Sequence, residues 1–207
     1  MEIRIINNIP GANVTFDRDM DGSYIVEITQ RNEPNLGEIK CGKTVKIGDR
    51  EFIVLDHFDG TTAVICKDFA KEMEFGENGD WKTSAVREYC NGEFYNELVT
   101  AIGAENIVKH TVNLLAQDGT GEGEYCDDFV SLLTLDMYRM YRKHLPNYGK
   151  WWWLATRLNA DDEDYARGVC YVNSDGVLYW DFCDCSRGVR PFCLLKSSVL
   201  VTLDTEG

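Results

Sequence analysis

Three consecutive tryptophans, Trp151, Trp152 and Trp153, constrain this chain more than any other feature. In an extended segment neighbours point to opposite faces, so Trp151 and Trp153 share one side and Trp152 takes the other. Rings of this size favour burial, and a strand carrying them on both faces must lie between two packed layers. Beyond Leu154-Ala155-Thr156 the texture changes. Asn, Asp, Tyr, Cys, Ser, Gly and Arg dominate up to Arg190-Pro191, broken by the short apolar pairs Tyr171-Val172 and Val177-Leu178. That is the pattern of a rigid scaffold carrying a display surface.

The rest of the chain supplies the scaffold. An apolar content of 44% over 207 residues allows a core without staples. Residues 1–36 read as a small β element: Ile3 and Ile5 alternate, Pro10-Gly11 turns, Val14 and Phe16 alternate, and Asp21-Gly22 leads into Tyr24, Val26 and Ile28. Arg31 to Asn35 is a polar break and linker. Its Glu33-Pro34-Asn35 tripeptide, known from calcium-dependent lectin loops, stands far from the C-terminal half and without a Trp-Asn-Asp partner, so it is a chance match. From residue 37 a second domain begins. Thr44–Ile47, Glu51–Asp56 and Thr62–Cys66 read as strands joined by Gly48-Asp49 and Asp59-Gly60 turns.

Thr83 or Ser84 can cap a helix through Val86, Tyr89 and Cys90; Gly92 interrupts it, Phe94, Leu98 and Ile102 continue the stripe, and Gly103 closes it. Ile107 to Leu115 alternates as one strand with Val108, His110, Val112 and Leu114 on a common face, and residues 116–127 form an acidic Gly-rich loop. That loop lacks the Gly-Lys-Ser/Thr of a phosphate loop. Thr134 caps a second helix, with Leu135, Tyr138 and Tyr141 inward and Arg139, Arg142 and Lys143 outward, stopped by Pro146. Asp161-Asp162-Glu163-Asp164 is a charge run; four adjacent carboxylates rarely all turn inward on calcium, so a solvated loop tip is expected. Ser174-Asp175-Gly176 turns, Val177 to Asp184 forms a strand or loop edge, and residues 199–203 form a closing strand.

Charge and cysteine usage exclude several functions. A net charge of −14 argues against direct nucleic-acid binding, which needs Lys and Arg on phosphates. It supports solubility, and it leaves open a protein that mimics nucleic acid toward a basic partner. No apolar run reaches 18 residues, so no membrane span is expected. Met1 to Ile6 lacks the build of a signal peptide, which implies a cytoplasmic or virion-associated protein. The eight cysteines form no C-x-x-C pair, and the three histidines are scattered. Free thiols, no metal and no cofactor follow.

The sets Trp152-Trp153-Leu154-Ala155-Thr156, Tyr171-Val172-Asn173-Ser174-Asp175-Gly176 and Gly188-Val189-Arg190-Pro191 resemble a family of gut-bacterial and phage domains. That family repeats W-W-L-R-S, A-x-x-V-x-x-x-G and G-V-R-P-A-L. The hairpins from Gly42 to Cys66, the Trp81-x-x-Ser84-x-x-Arg87 helix entry and Phe94-Tyr95 extend the resemblance over about residues 37–197. Ala155, Thr156, Val169 and Phe192 depart from the pattern. The resemblance implies an α+β, C-type-lectin-like fold of the formylglycine-generating-enzyme type. Some members are variable proteins of diversity-generating retroelements, and others are prophage receptor-binding proteins. The enzyme branch uses a copper-binding cysteine pair; Cys183 and Cys185, two apart on one strand face, would be the counterpart, but the surrounding segment does not match.

The expected function is therefore a non-catalytic recognition module for a protein or cell-surface receptor, with oligomerisation through residues 1–36 left open. No catalytic Ser-His-Asp set or paired-carboxylate motif stands in the sequence. The candidate binding residues are Arg157, Asn159, Tyr165, Arg167, Tyr171, Tyr179, Trp180, Asp181, Phe182 and Asp184. Alternation places Tyr179 and Asp181 on one face and Trp180 and Phe182 on the other, with one aromatic in the core and another exposed. The alternative is an acidic intracellular phage effector that blocks a basic host defence protein. Arg190, between Val189 and apolar Phe192, is expected to be buried and structural.

Overall fold

A computed structural model describes residues 12–19, 21–30, 33–162 and 165–203. The expected Ile3/Ile5 alternation, the Pro10-Gly11 turn, Arg31 and Asn32 of the linker, and Glu163 and Asp164 of the charge run lie outside those residues. In chain order the strands are β1 (Ala12–Arg18), β2 (Tyr24–Gln30), β3 (Thr44–Ile47), β4 (Arg50–Phe58), β5 (Thr61–Cys66) and β6 (Lys71–Glu74). Helices α1 (Ala85–Tyr89) and α2 (Tyr95–Ile102) follow, then β7 (Ile107–Val108), β8 (His110–Asn113), β9 (Tyr125–Asp128), β10 (Val130–Ser131) and helix α3 (Leu135–Tyr141). The last strands are β11 (Trp152–Arg157), β12 (Gly168–Val172), β13 (Leu178–Phe182), β14 (Ser186–Val189), β15 (Phe192–Lys196) and β16 (Thr202–Leu203).

The result is a mixed α+β protein. β1 and β2 form a two-stranded antiparallel hairpin. Tyr24, Ile25 and Val26 of that hairpin are exposed. A seven-stranded sheet has the order β10-β15-β5-β4-β3-β16, with β7 also on β15. A five-stranded sheet has the order β13-β12-β11-β14-β6. Asn35 bridges Leu200, and Leu36 is fully buried.

α1 and α2 are one rod. Ser84 Oγ accepts the Arg87 N–H at its start, and Gly103, at φ +82°, ends it. The expected interruption at Gly92 is a π-helical turn, Cys90–Phe94, which widens the helix without stopping it. Val86, Tyr89, Cys90, Phe94 and Leu98 point inward, as their spacing requires. Thr134 caps α3 through the Met137 N–H, and Leu135, Tyr138 and Tyr141 are buried.

Two apolar clusters use opposite faces of the sheets. One gathers Phe52, Val54, Val64, Phe94, Leu98, Trp153 and Val169 around the α1–α2 rod. The other gathers Ile53, Leu55, Ile65, Leu135, Tyr138, Trp152, Leu154 and Val172 around α3. Trp152 and Trp153 are thus buried on opposite sides of β11, which is the two-layer cover that their adjacency demands.

Four expectations are corrected. Trp151 is not enclosed; it precedes the strand and is exposed, because the cover from the rod begins at Trp153. Residues 107–115 are not one strand: β7 joins β15, whereas β8 pairs with β9, so the chain changes sheets at Lys109. The Gly-rich loop is shorter than expected, because Tyr125–Asp128 is the returning strand of that hairpin. Cys183 and Cys185 do not share a strand face; they lie in the turn between β13 and β14.

The three parts of the tryptophan-containing motif meet in the five-stranded sheet. Trp152 pairs with Val172 on one side and, in parallel, with Gly188 on the other. Gly188 is required by packing, since a Cβ there would fall 2.2 Å from the Phe69 ring.

Candidate functional site

The candidate surface grows from the outer edge of this sheet. β13 pairs with β12 in antiparallel register, Tyr179 opposite Tyr171 and Trp180 opposite Cys170. Directly paired residues share a face. Tyr179 therefore stands beside Tyr171, with centroids 6.0 Å apart and planes at 25°, and Tyr171 stacks in turn on Trp151 at 5.4 Å and 26°. One aromatic row runs from Trp151 to the sheet edge. Arg187 lies over it, 4.8 Å from Trp151 and 5.4 Å from Tyr171, a cation–π arrangement on two ring faces. Its guanidinium is ion-paired to Asp181 and donates to the Ser186 carbonyl at 2.8 Å.

On the opposite face Trp180 and Phe182 meet edge to face at 5.8 Å. Alternation predicted that one of the three aromatics would be core. Instead Tyr179 is 52% exposed, Trp180 41% and Phe182 48%. The reason is position in the sheet. Of β13 only Leu178, at its start, packs on an apolar cluster, so the edge strand keeps Tyr179, Trp180 and Phe182 in solvent on both faces.

The other candidates divide into two groups. Tyr165 is exposed; Arg167 is exposed and paired to Asp184 at 2.6 Å, and its carbonyl accepts the Cys183 N–H. These residues adjoin the Phe182 end of β13. Arg157 and Asn159 instead face the Gly-rich loop. Arg157 is a charge pair with Glu124 at 2.9 Å, without the alignment of a hydrogen bond, and its Nε has no acceptor. Asn159 donates to Asp118, while Thr120 Oγ1 accepts the Ala160 N–H at 2.7 Å. Tyr171 is only 7% exposed and supports the row from beneath. Trp151 and Arg187 were not among the expected binding residues. A clue to Trp151 was its place just after Gly149-Lys150, ahead of the strand, whereas nothing local indicates that Arg187 folds back over it.

Compared with protein-family models, with curated proteins and with solved structures, the chain matches none of them.

Cys183 is buried, and partial burial together with the Asp181 carboxylate pushes the Cys185 thiol up, away from the thiolate that a soft metal requires. Burial pushes Cys66 and Cys170 up to about 12. Among the described residues no group of three or more His, Cys, Asp or Glu side chains is placed to hold a metal, and no helix is long and apolar enough to cross a membrane. A cleft of about 560 Å³ between Ile47–Arg50 and Phe94–Ala101 is lined by Asp49, Arg50 and Glu97, of which Arg50 and Glu97 are engaged with each other at 2.7 Å.

His110 makes a pH-dependent contribution. Nε2 meets Ser131 Oγ at 2.9 Å, the ring stands edge-on to Phe192, and Nδ1 is buried without a partner. Burial lowers its pKa below the ordinary 6.5, against the smaller opposing effect of Asp128. The unfolded chain then binds the proton first, so this residue's contribution is present above 6.5 and declines as pH falls through that value toward the folded pKa. The melting temperature of the wild-type protein is expected to fall more between pH 7 and about pH 5 than that of His110→Gln. Parallel profiles for the two proteins would refute the assignment.

Proposed function

We propose that the protein is a non-catalytic recognition module that binds a protein or cell-surface receptor through the edge of its five-stranded sheet. The observation that carries this reading is the exposure of Tyr179, Trp180 and Phe182 together, on both faces of an uncovered strand. Large exposed aromatics beside adaptable polar groups give rigid contact area at low entropic cost. The residue pattern further suggests a C-type-lectin-like fold of the formylglycine-generating-enzyme type. In support, the three motif segments are neighbours in one sheet. A phage or prophage receptor-binding protein, or a retroelement-diversified variable protein, is the biological setting that fits.

The test is alanine substitution at Tyr179, Trp180 and Phe182, with binding of labelled protein to a panel of gut-bacterial cells and a melting curve for each variant. Truncation at the centre of the site is expected to cost about 2 kcal/mol or more in binding. Stability should shift by about 0.5 kcal/mol or less, because the rings are outside the core. If all three variants melt early and bind normally, the surface lies elsewhere, first of all at the acidic loop from Gly119 to Glu124. The net charge of −14 favours a second reading, the acidic effector. That reading predicts loss on neutralising exposed carboxylates and none on truncating these rings.

A further inference from the structure

We propose that β13 recognises its partner by strand addition, accepting an extended basic segment as a sixth strand of the sheet. The inference rests on the recognition reading above and specifies its mode and the chemistry of the partner. Its first support is the ladder. The Cys183 N–H donates to the Arg167 carbonyl at 2.8 Å, and the Asn173 N–H to the Val177 carbonyl at 2.9 Å. Both pairs lie on the β12–β13 register, so odd-numbered residues of this strand bond inward to β12 and even-numbered ones point outward. Phe182 is capped locally: its N–H donates to Asp181 Oδ1 and its carbonyl accepts the Cys185 N–H. Leu178 and Trp180 remain, each with an N–H and a carbonyl directed at solvent and with no partner among the described residues.

Edge strands are ordinarily protected by charge, proline, a bulge, cover or shortness. The other outer edges of the two larger sheets follow that rule. β6 reads Lys-Glu-Met-Glu, and β10 and β16 are two residues long. Between Leu178 and Trp180 there is no charge, proline or bulge, and Asp181 beyond them turns inward to Arg187. This edge is open where its neighbours are closed.

Charge identifies the occupant. Segment 157–186 holds seven carboxylates against two arginines and no lysine; even with Asp184 paired to Arg167 and Asp181 to Arg187, acidic groups remain in excess. A second copy fits poorly, because it would bring together two chains that each carry a charge of −14. An added strand places the residues opposite Leu178 and Trp180 on the Trp180 face, where apolar side chains suit, and its alternate residues on the Tyr179 face, where a lysine meets the exposed Tyr179 ring.

The probe is a short end-blocked peptide alternating lysine and valine, titrated calorimetrically into the full chain. Its comparators are the same peptide N-methylated at the valines, which removes the pairing amides and keeps the side chains, and a glutamate–valine peptide. We expect saturable binding of the first peptide, a loss of about tenfold or more on N-methylation and weaker binding of the acidic peptide. Leu178→Pro should lose binding to a similar extent and Leu178→Val should not, since proline is tolerated at the first residue of an edge strand. If the proline variant fails to fold, the N-methylated peptide still decides. Equal binding of the N-methylated peptide would overturn strand addition while leaving recognition through the rings intact. No binding of the lysine–valine peptide, or equal binding of the acidic one, would overturn the proposal, as would a self-association seen by sedimentation and abolished in Leu178→Pro.

Discussion

Arg190→Ala is expected to remove a large share of the protein's stability. The side chain is 1% exposed, its Nε donates to the Cys66 carbonyl at 3.0 Å, and its guanidinium lies 4.8 Å from the Trp152 ring and 5.1 Å from Tyr148. Burial draws its pKa down to about 10, which still leaves it charged at neutral pH. Truncation opens a cavity under Trp152 and orphans a carbonyl between the two sheets, a loss of roughly 3 kcal/mol or more against a typical total of about 5–15. Arg190→Lys should recover little, because an ammonium offers neither a planar face to both rings nor the same donor geometry. Urea unfolding of the three proteins measures the effect. An Arg190→Ala protein that melts normally and loses only binding would make this residue a ligand contact.

Trp153→Ala is the second large effect. The ring is fully buried, edge-on to Phe75 at 5.8 Å and to Tyr171 at 6.3 Å, and its Nε1–H donates to the Met73 carbonyl at 3.1 Å. Loss of the ring is expected to cost about 3–5 kcal/mol. Trp153→Phe keeps most of the apolar volume and leaves the Met73 carbonyl unpaired, a loss of about 1–3 kcal/mol. The two substitutions should therefore rank in that order by chemical denaturation. Trp151→Ala, at an exposed ring two residues away, should change stability far less; equal losses at Trp151 and Trp153 would contradict the placement of β11.

Local patterns carried much of this architecture. The caps at Ser84 and Thr134, the stop at Gly103, the β3–β4 and β4–β5 turns at Gly48 and Gly60, and the inward stripes of the helices all follow from nearest-neighbour chemistry. The burial of Arg190 followed from its apolar flanks. By contrast β6, Lys-Glu-Met-Glu, has no apolar periodicity and exists because β14 offers it a ladder. The switch of sheets at Lys109 and the return strand β9 likewise depend on distant partners.

The candidate surface divides the same way. The sequence by itself determined which residues are chemically suited to contact: Tyr165, Arg167, Tyr179, Trp180, Phe182 and their acidic neighbours. It also determined that adjacent tryptophans need cover on two sides, since alternation is a property of the backbone alone. Tertiary structure decided that Trp151 escapes that cover, that Tyr171 lies beneath the row and that Arg187 closes over it. It also decided that β13 is outermost, so that all three of its aromatics face water. Strand order is set by pairings between segments remote in sequence, such as Trp152 with Gly188, and local periodicity cannot register whether a further strand lies beyond the last one.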